Sequence, residues 1–218
     1  MAQIFSRAAD TWFRVAMLVI VGGLIGVFIV AMLLERSDYQ TGRGWTVDQP
    51  VPFSHQHHAG ALQIDCRYCH AGVERSARAG FPPTHTCMSC HSQLWTQAEM
   101  LAPVRRSLEE DRPLRWNRVI KLPDYVYFQH DVHVQSGVGC VSCHGQVDTM
   151  PLLHKAEPLS MSFCLECHRD PAPRLQPRET VADMAWHTDE DRRHLGERLM
   201  REYRVDPAGL TSCSVCHR

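Results

Sequence analysis

Five copies of a Cys-x-x-Cys-His motif account for all ten cysteines of the chain. Residues three and four apart lie on one face of a helical turn, so two thiols can bond the vinyl groups of one haem while the adjacent histidine reaches its iron. This is the attachment signal of c-type haem. The cysteine pairs are Cys66/Cys69, Cys87/Cys90, Cys140/Cys143, Cys164/Cys167 and Cys213/Cys216, followed by His70, His91, His144, His168 and His217. We predict five covalently attached haems c.

Zinc or disulfide chemistry explains these cysteines poorly. Cys-x-x-Cys also occurs in zinc sites and redox dithiols. Zinc ribbons need pairs of Cys-x-x-Cys elements, so one of the five copies would remain unpaired. Neither a zinc site nor a redox dithiol explains why a histidine follows every cysteine pair. Because thioether bonds to haem form outside the cytoplasm, the motifs predict a periplasmic domain.

A second histidine pattern precedes the first and third motifs. Both copies read Phe-x-His-x-x-His, with the last histidine eight residues before the first motif and seven before the third. The copies contain Phe53, His55 and His58, and Phe128, His130 and His133. Histidines three apart on a helix point the same way about one turn apart, so one short segment can ligate two neighbouring haems.

These histidines are predicted to be the second axial ligands of four irons. His55 and His130 are assigned to the first haem of each module, and His58 and His133 to the second haem or to a neighbouring module. His57 is an alternative to His58, but the match with the second copy favours His58.

The fifth iron has several candidate ligands. Among the remaining histidines we select His154. Met150 and Met161 compete with it, and a haem with Met/His ligation has a higher potential than a bis-histidine haem. The further candidates are His57, His85, His187 and His194.

The N-terminal region predicts a membrane anchor. Residues 15–34 contain no charged or strongly polar side chain. A helix of this length can cross about 30 Å of hydrocarbon. A cleaved signal peptide has a shorter apolar region and a small-x-small cleavage site, whereas Leu34 is followed by Glu35 and Arg36. Arg7 and Arg14 precede the span and favour an N-terminus inside. We expect a retained single-pass anchor in a bacterial cytoplasmic membrane.

The predicted organisation is an anchor in residues 1–36 and a pentahaem domain in residues 37–218. Two modules cover residues 50–92 and 123–170, and the fifth haem lies in 171–218. Helical patterns occur in 92–112 and 188–204. The predicted fold class is a multihaem cytochrome c with an N-terminal transmembrane helix and a mainly α and irregular haem-packed domain with little β. The net charge of −1 gives no basic field for nucleic acid.

The repeat followed closely by Cys-x-x-Cys-His resembles the class III multihaem cytochromes, of the c3 and c7 types. That resemblance implies that the two spaced histidines ligate different haems. The order of an N-terminal helix, two such modules and a final motif resembles the ActA family, the pentahaem cytochrome c subunits of alternative complex III. This second resemblance covers most of the chain.

The resemblance to alternative complex III implies a function in a respiratory or photosynthetic quinol oxidoreductase. The chain would relay electrons towards a periplasmic acceptor or oxidase, with no substrate active site of its own. The implied partners are a polytopic quinol-binding subunit, an iron–sulfur subunit, a monohaem cytochrome c or an oxidase, and membrane lipid.

Two other functions share part of this pattern. A NapC/NrfH-type quinol dehydrogenase has one anchor helix but usually four haems, and the c3-like repeats count against it. A multihaem reductase needs one haem with an open distal position, whereas the surplus of histidines can fill all five distal sites.

Overall fold

The structure is a computed structural model that describes residue 4 and residues 6–217. The chain divides into two compact units, Met1–Gly42 and Arg43–Arg218. Within the described residues there is no β-strand, and pairing of extended backbone is limited to isolated bridges. The predicted helical and irregular architecture is therefore confirmed.

The first unit contains one long apolar helix. Helix α1 (Arg7–Glu35) begins at Ser6, whose hydroxyl accepts a hydrogen bond from the Ala9 N–H. Its length is about 43 Å, and an 18-residue window within it has a mean hydropathy of 2.9. None of its residues is buried. The helix is long and apolar enough to cross a membrane, a property that a signal sequence shares.

The remaining α-helices are short. After α2 (Asp38–Thr41) they are α3 (Cys66–Cys69), α4 (Thr84–His91), α5 (Ala102–Glu109), α6 (His130–Gln135), α7 (Val141–His144), α8 (Met161–Arg169), α9 (Arg192–Tyr203) and α10 (Cys213–Cys216). A π-helix covers Gln56–Ala61. Single turns of 3-10 helix lie at Glu99–Leu101, Val147–Thr149, Ala172–Arg174, Arg178–Thr180 and Pro207–Gly209. Most of the second unit is therefore held by contacts between loops and single helical turns.

Two small apolar clusters hold these elements together. One is formed by Val51, Leu101 and Val104, with Cys87, Met88, Ala98, Leu114 and Trp116 packed around it. The other is formed by Leu175, Leu195 and Leu199, with Val138, Trp186, Met200 and Tyr203 packed around it. The first cluster joins α5 to α4, and the second joins α9 to the loops that surround the third motif.

Helix α9 packs closely against the Ala172–Arg174 turn because Gly196 has no side chain. A methyl group at Gly196 would overlap the backbone carbonyl of Ala172. The segment after the Ala172–Arg174 turn is hydrogen-bonded to the third motif and the residues before it. The Gln176 N–H donates to the Gly137 carbonyl at 2.8 Å, and the Cys140 N–H donates to the Val181 carbonyl at 2.9 Å. Helix α9 thus supports the backbone of a haem motif.

Two of the predicted helices are shorter than expected. In the 92–112 region, Trp95 adopts a left-handed φ of 54° that ends the continuation of α4, and Pro103 lies in the first turn of α5. In the 188–204 region, α9 begins after Asp191, whose carboxylate accepts from the His194 N–H at 2.9 Å. Capping and backbone conformation, which the apolar periodicity does not include, set these boundaries.

Candidate haem-binding sites

Every motif occupies a helical turn. The Cys-x-x-Cys segments form α3 and α10, lie within α4 and α8, and in the third motif begin at the residue that precedes α7. The two thiols and the following histidine of each copy therefore come close together on one turn. This is the local geometry that haem attachment requires.

Most of the motif cysteines are partly shielded from water. None of the ten cysteines is in a disulfide. Burial raises the pKa of Cys140 to about 11 and that of Cys143 to about 12. These apolar surroundings disfavour a charged thiolate at the two positions.

Two of the predicted attachment cysteines differ from the other eight because they are exposed. Cys90 and Cys213 lie at the surface, whereas the rest are half-buried. In the second motif, Cys87 packs against the apolar cluster of α5, while the Cys90 thiol, one turn later, accepts from the Ser89 hydroxyl at 3.9 Å. The ten cysteines thus lie in environments of different exposure. Attachment of haem through Cys90 stays a prediction, and a haem held there would have one edge open to solvent.

Three motif histidines each face a histidine of the Phe-x-His-x-x-His repeats. The ring centroids are 6.2 Å apart for His58 and His91, 6.2 Å for His130 and His144, and 6.1 Å for His133 and His168. Two imidazoles on opposite sides of one iron, each nitrogen about 2 Å from the metal, have centroids about 6 Å apart. The observed spacings fit one iron between the rings of each pair.

The two remaining histidines of this region adjoin one of these pairs. The pKa of His55 falls to about 4, first because of burial and then because of the charges of His70 and His58. The pKa of His144 also falls to about 4, through burial and then through His130, His70 and His55. A low pKa keeps an imidazole neutral, which is the form that ligates iron. His55 and His70 are therefore near enough to interact electrostatically with each other and with His144.

Most of these histidines have one ring nitrogen fixed by a backbone carbonyl. The Nδ1–oxygen pairs are His58–Ser54 (2.9 Å), His70–Gly80 (2.8 Å), His91–Leu94 (3.2 Å), His130–Ala77 (3.0 Å), His133–Gln129 (2.7 Å), His168–Leu210 (2.9 Å) and His217–Tyr125 (3.1 Å). An Nδ1–H that donates to a carbonyl fixes the ring and leaves Nε2 to bind a metal. The donor set therefore fits axial ligation.

The phenylalanine of each repeat separates its two histidines. The Phe53 ring lies edge-on to His55, at 4.9 Å and 86°, and close to parallel with His58, at 4.3 Å and 22°. Phe128 repeats this arrangement, with 4.8 Å and 89° to the first histidine and 4.4 Å and 30° to the second. The sequence showed that this residue recurs, but its role in holding the two imidazoles became visible only in the structure.

The two copies differ in their helix type. The second repeat lies at the start of α6, whereas the first enters the π-helix Gln56–Ala61, in which Leu62 N–H bonds the His57 carbonyl five residues earlier. A π turn accommodates one residue more than an α turn. The extra residue between His58 and the first motif is thereby absorbed.

The fifth motif lacks a histidine partner of this kind. In the part of the chain that the structure describes, the ring of His217 contacts Tyr125 and no histidine. The selected ligand His154 is half-buried and pairs with Thr46 in an isolated bridge. The prediction of His154 as the fifth distal ligand stays a prediction.

The other candidates for that position lie in different environments. His187 and His85 are exposed, and the His194 Nδ1 lies 3.1 Å from a carboxylate oxygen of Glu190. Met150 is buried and Met161 is exposed. His57, the alternative to His58, stacks on Trp95 with ring centroids 5.8 Å apart. Among the described residues, its ring faces no motif histidine.

Comparison with known families decides the class of protein. Residues 106–218, more than half of the chain, match the class III cytochrome c family. The chain belongs to this family. It is therefore a multihaem cytochrome c that carries covalent haem and takes part in electron transfer, and the predicted fold class is confirmed.

One protein similar to this class III cytochrome is a subunit of a named enzyme. The menaquinone reductase multiheme cytochrome c subunit of Nitratidesulfovibrio vulgaris is 34% identical over 98 residues. The matched region covers 44% of this chain and 46% of the relative. The chain thus spans about half of the length of the relative that it matches.

Proposed function

We propose that this chain is a membrane-anchored pentahaem cytochrome that relays electrons within a quinol oxidoreductase of the alternative complex III type. The observation that carries the proposal is the set of three histidine pairs whose rings are about 6 Å apart. Each pair joins a motif histidine to a repeat histidine, so the chain itself supplies both axial ligands. Haem c bound in this way supplies one-electron redox chemistry without an open coordination position.

The axial ligands proposed for the four haems of the two modules follow from these neighbours. His55 pairs with His70, His58 with His91, His130 with His144, and His133 with His168. The cysteines of all five motifs form the thioether bonds, and His217 is the proximal ligand of the fifth haem. Each repeat thereby serves both haems of its own module, since the two histidines point to different motifs.

The relay path we propose does not follow the order of the motifs along the chain. Thiols of different motifs that lie close enough for charge on one to shift the pKa of the other are Cys87 and Cys69, Cys66 and Cys140, Cys143 and Cys167, and Cys164 and Cys216. Ordered by this electrostatic proximity, the proposed path runs from the second motif to the first, then to the third, the fourth and the fifth. Electrons would enter and leave at the second and fifth motifs.

The exposed thiols support these two ends of the path. Cys90 belongs to the second motif and Cys213 to the fifth, and both are more exposed than the cysteines of the motifs between them. A relay exchanges electrons with its partners where its haems approach the surface. Partner cytochromes or subunits would therefore dock beside these two cysteines.

The anchor and the compartment are part of the same proposal. Residues 1–36 would form a cytoplasmic N-terminus and a single transmembrane helix in the inner membrane, and residues 37–218 the periplasmic haem domain. The length and mean hydropathy of α1 support a span, and the extracytoplasmic attachment of haem c agrees with the periplasmic side.

The partners would be a polytopic quinol-binding subunit, an iron–sulfur subunit, and a monohaem cytochrome c or oxidase. Support for a quinone-linked complex comes from the relative, which is a subunit of a menaquinone reductase. The same observation favours a second candidate function, in which an equivalent relay delivers electrons to menaquinone instead of receiving them from quinol.

Purification of the full chain from native membranes tests the proposal. We expect mass spectrometry of the denatured chain to show five haem adducts, and the preparation to contain an iron–sulfur protein and a polytopic subunit. Quinol-dependent reduction of the haems supports the favoured direction, whereas quinone-dependent oxidation without quinol oxidation supports the second candidate. Rapid carbon monoxide binding by most of the reduced haems would contradict the relay.

A further inference from the structure

One loop contacts two histidines that are proposed to ligate different haems. One is the histidine of the first motif, and the other is the repeat histidine that faces the third motif. We define residues 71–80 as the bridging loop. Its last carbonyl, of Gly80, lies 2.8 Å from Nδ1 of His70. The Ala77 carbonyl lies 3.0 Å from Nδ1 of His130, which belongs to the second repeat. Imidazoles proposed to ligate two different haems are thus oriented by carbonyls three residues apart.

The bridging loop also caps the helix that carries the second repeat. Helix α6 has no side-chain cap at its N-terminus. The His130 N–H donates to the Ala77 carbonyl at 3.3 Å, and the Asp131 N–H donates to the Ser76 carbonyl at 3.3 Å. The first N–H groups of a helix need such external acceptors. A displacement of the loop would therefore move the backbone of α6 as well as the ring of His130.

The shape of the loop depends on its two terminal glycines. Gly72 N–H donates to the Ala79 carbonyl at 3.2 Å and closes the loop. A Cβ at Gly72 would lie 2.8 Å from the Arg78 carbonyl oxygen and 3.0 Å from that of Ala79. Gly80 has a φ of +80°, which residues with a side chain rarely adopt. Gly80 carries the carbonyl that orients His70, and Gly72 faces the carbonyls of Arg78 and Ala79, which lie between the two orienting carbonyls in sequence.

We propose that the bridging loop is a positioning element that sets the imidazole orientation at the first and third haems together. The inference rests on the proposed ligation of those haems by His70 and His130. A hydrogen bond from the distant ring nitrogen fixes the orientation and raises the basicity of an axial histidine, and so tunes the potential of its iron. Because one loop provides both acceptors, a change in its backbone alters two potentials at once.

The test is a comparison of alanine variants of three glycines in the full-length, haem-loaded chain. Gly72→Ala introduces the overlap with the loop carbonyls, and Gly80→Ala strains the left-handed backbone without a steric clash. Gly42→Ala is the matched control for Gly80→Ala, since its φ of +68° is also left-handed and no atom lies within 4 Å of its added methyl group. Redox titration and electron paramagnetic resonance report on the individual low-spin haems.

We expect both loop variants to shift the potentials and resonance signals of two haems, and to leave the other three unchanged. The single variants His55→Ala and His130→Ala identify those signals as the first and third haems. A shift at the first haem alone, or at neither, would overturn the proposal, as would equal shifts in the Gly42 variant. If Gly72→Ala does not accumulate with five haems, the outcome is read from the milder Gly80→Ala variant alone.

Failure of the proposed function gives a different result. A wild-type chain with fewer than five haems, or one that copurifies with no iron–sulfur protein, contradicts the pentahaem relay or its complex. Neither result changes whether two signals respond together to the loop variants.

Discussion

The replacement of Gly196 by alanine sets two physical effects against each other in α9. Glycine in a helix interior is less favourable than alanine by about 1 kcal/mol, so helix propensity alone predicts that the variant is more stable. The added methyl group, however, would overlap the Ala172 carbonyl against which the helix packs. Overpacking of this kind costs about 1–3 kcal/mol, and more where backbone must move.

Packing is expected to prevail, because both the methyl group and the atom it meets are attached to backbone. Relief requires α9 to move away from the Ala172–Arg174 turn, which would open the cluster of Leu195, Leu199 and Leu175. A net loss of about 1–2 kcal/mol corresponds to a fall in Tm of about 2–8 °C for a domain of this size.

Thermal unfolding followed by circular dichroism in the far ultraviolet measures this difference on haem-loaded protein. Gly209→Ala is the control, because its methyl group meets no neighbour. An unchanged or higher Tm for Gly196→Ala would refute the reasoning, since it would mean that the contact relaxes without cost and that propensity decides.

Further predictions concern the haem ligands and one surface carboxylate. His58→Ala should expose one iron, so that the reduced variant binds one more carbon monoxide per chain than wild type, whereas His57→Ala should bind no more; equal uptake by the two variants contradicts the assignment. The rings of His58 and His91 are inclined at 64°, against 13° and 29° in the other two pairs. Because the angle between axial imidazoles sets the splitting of the iron d orbitals, we expect a more anisotropic low-spin resonance from that haem, and its signal should be the one that His58→Ala removes. Hydrogen bonds from Arg198 and then His194 lower the pKa of Glu190 from 4.5 to about 2. The stabilisation from this carboxylate is present above pH 4.5 and is lost as the pH falls towards 2; Glu190→Gln should reduce the fall in Tm over that window, and an unaltered pH profile would count against the interaction.

The motifs and the repeats could be predicted because their chemistry is local. Two cysteines and a histidine within one turn need no tertiary information, and the same holds for two histidines three residues apart. Which iron each histidine reaches is different, since His58 meets His91 only after the chain has folded back over more than thirty residues. The pattern left that choice open, and the ring spacings in the structure favour one answer.

Other features were out of reach of the sequence for physical reasons. The carbonyls that orient His70 and His130 belong to the backbone, and backbone acceptors leave no trace in residue types. The end of the chain's helical path after α4 depends on the left-handed conformation of Trp95, which is uncommon for a large side chain. Gly72 and Gly80 were the one available signal for a constrained loop in this part of the chain.

The π turn in the first repeat bears on how such modules diverge and how they can be recognised. The two repeats present the same ring geometry although one has an additional residue before its motif. A change between α-helix and π-helix can thus accommodate the insertion or deletion of one residue without moving the ligands. Searches that demand a constant distance between the paired histidines and the next Cys-x-x-Cys-His would overlook modules of this kind, and alignments should permit a gap there.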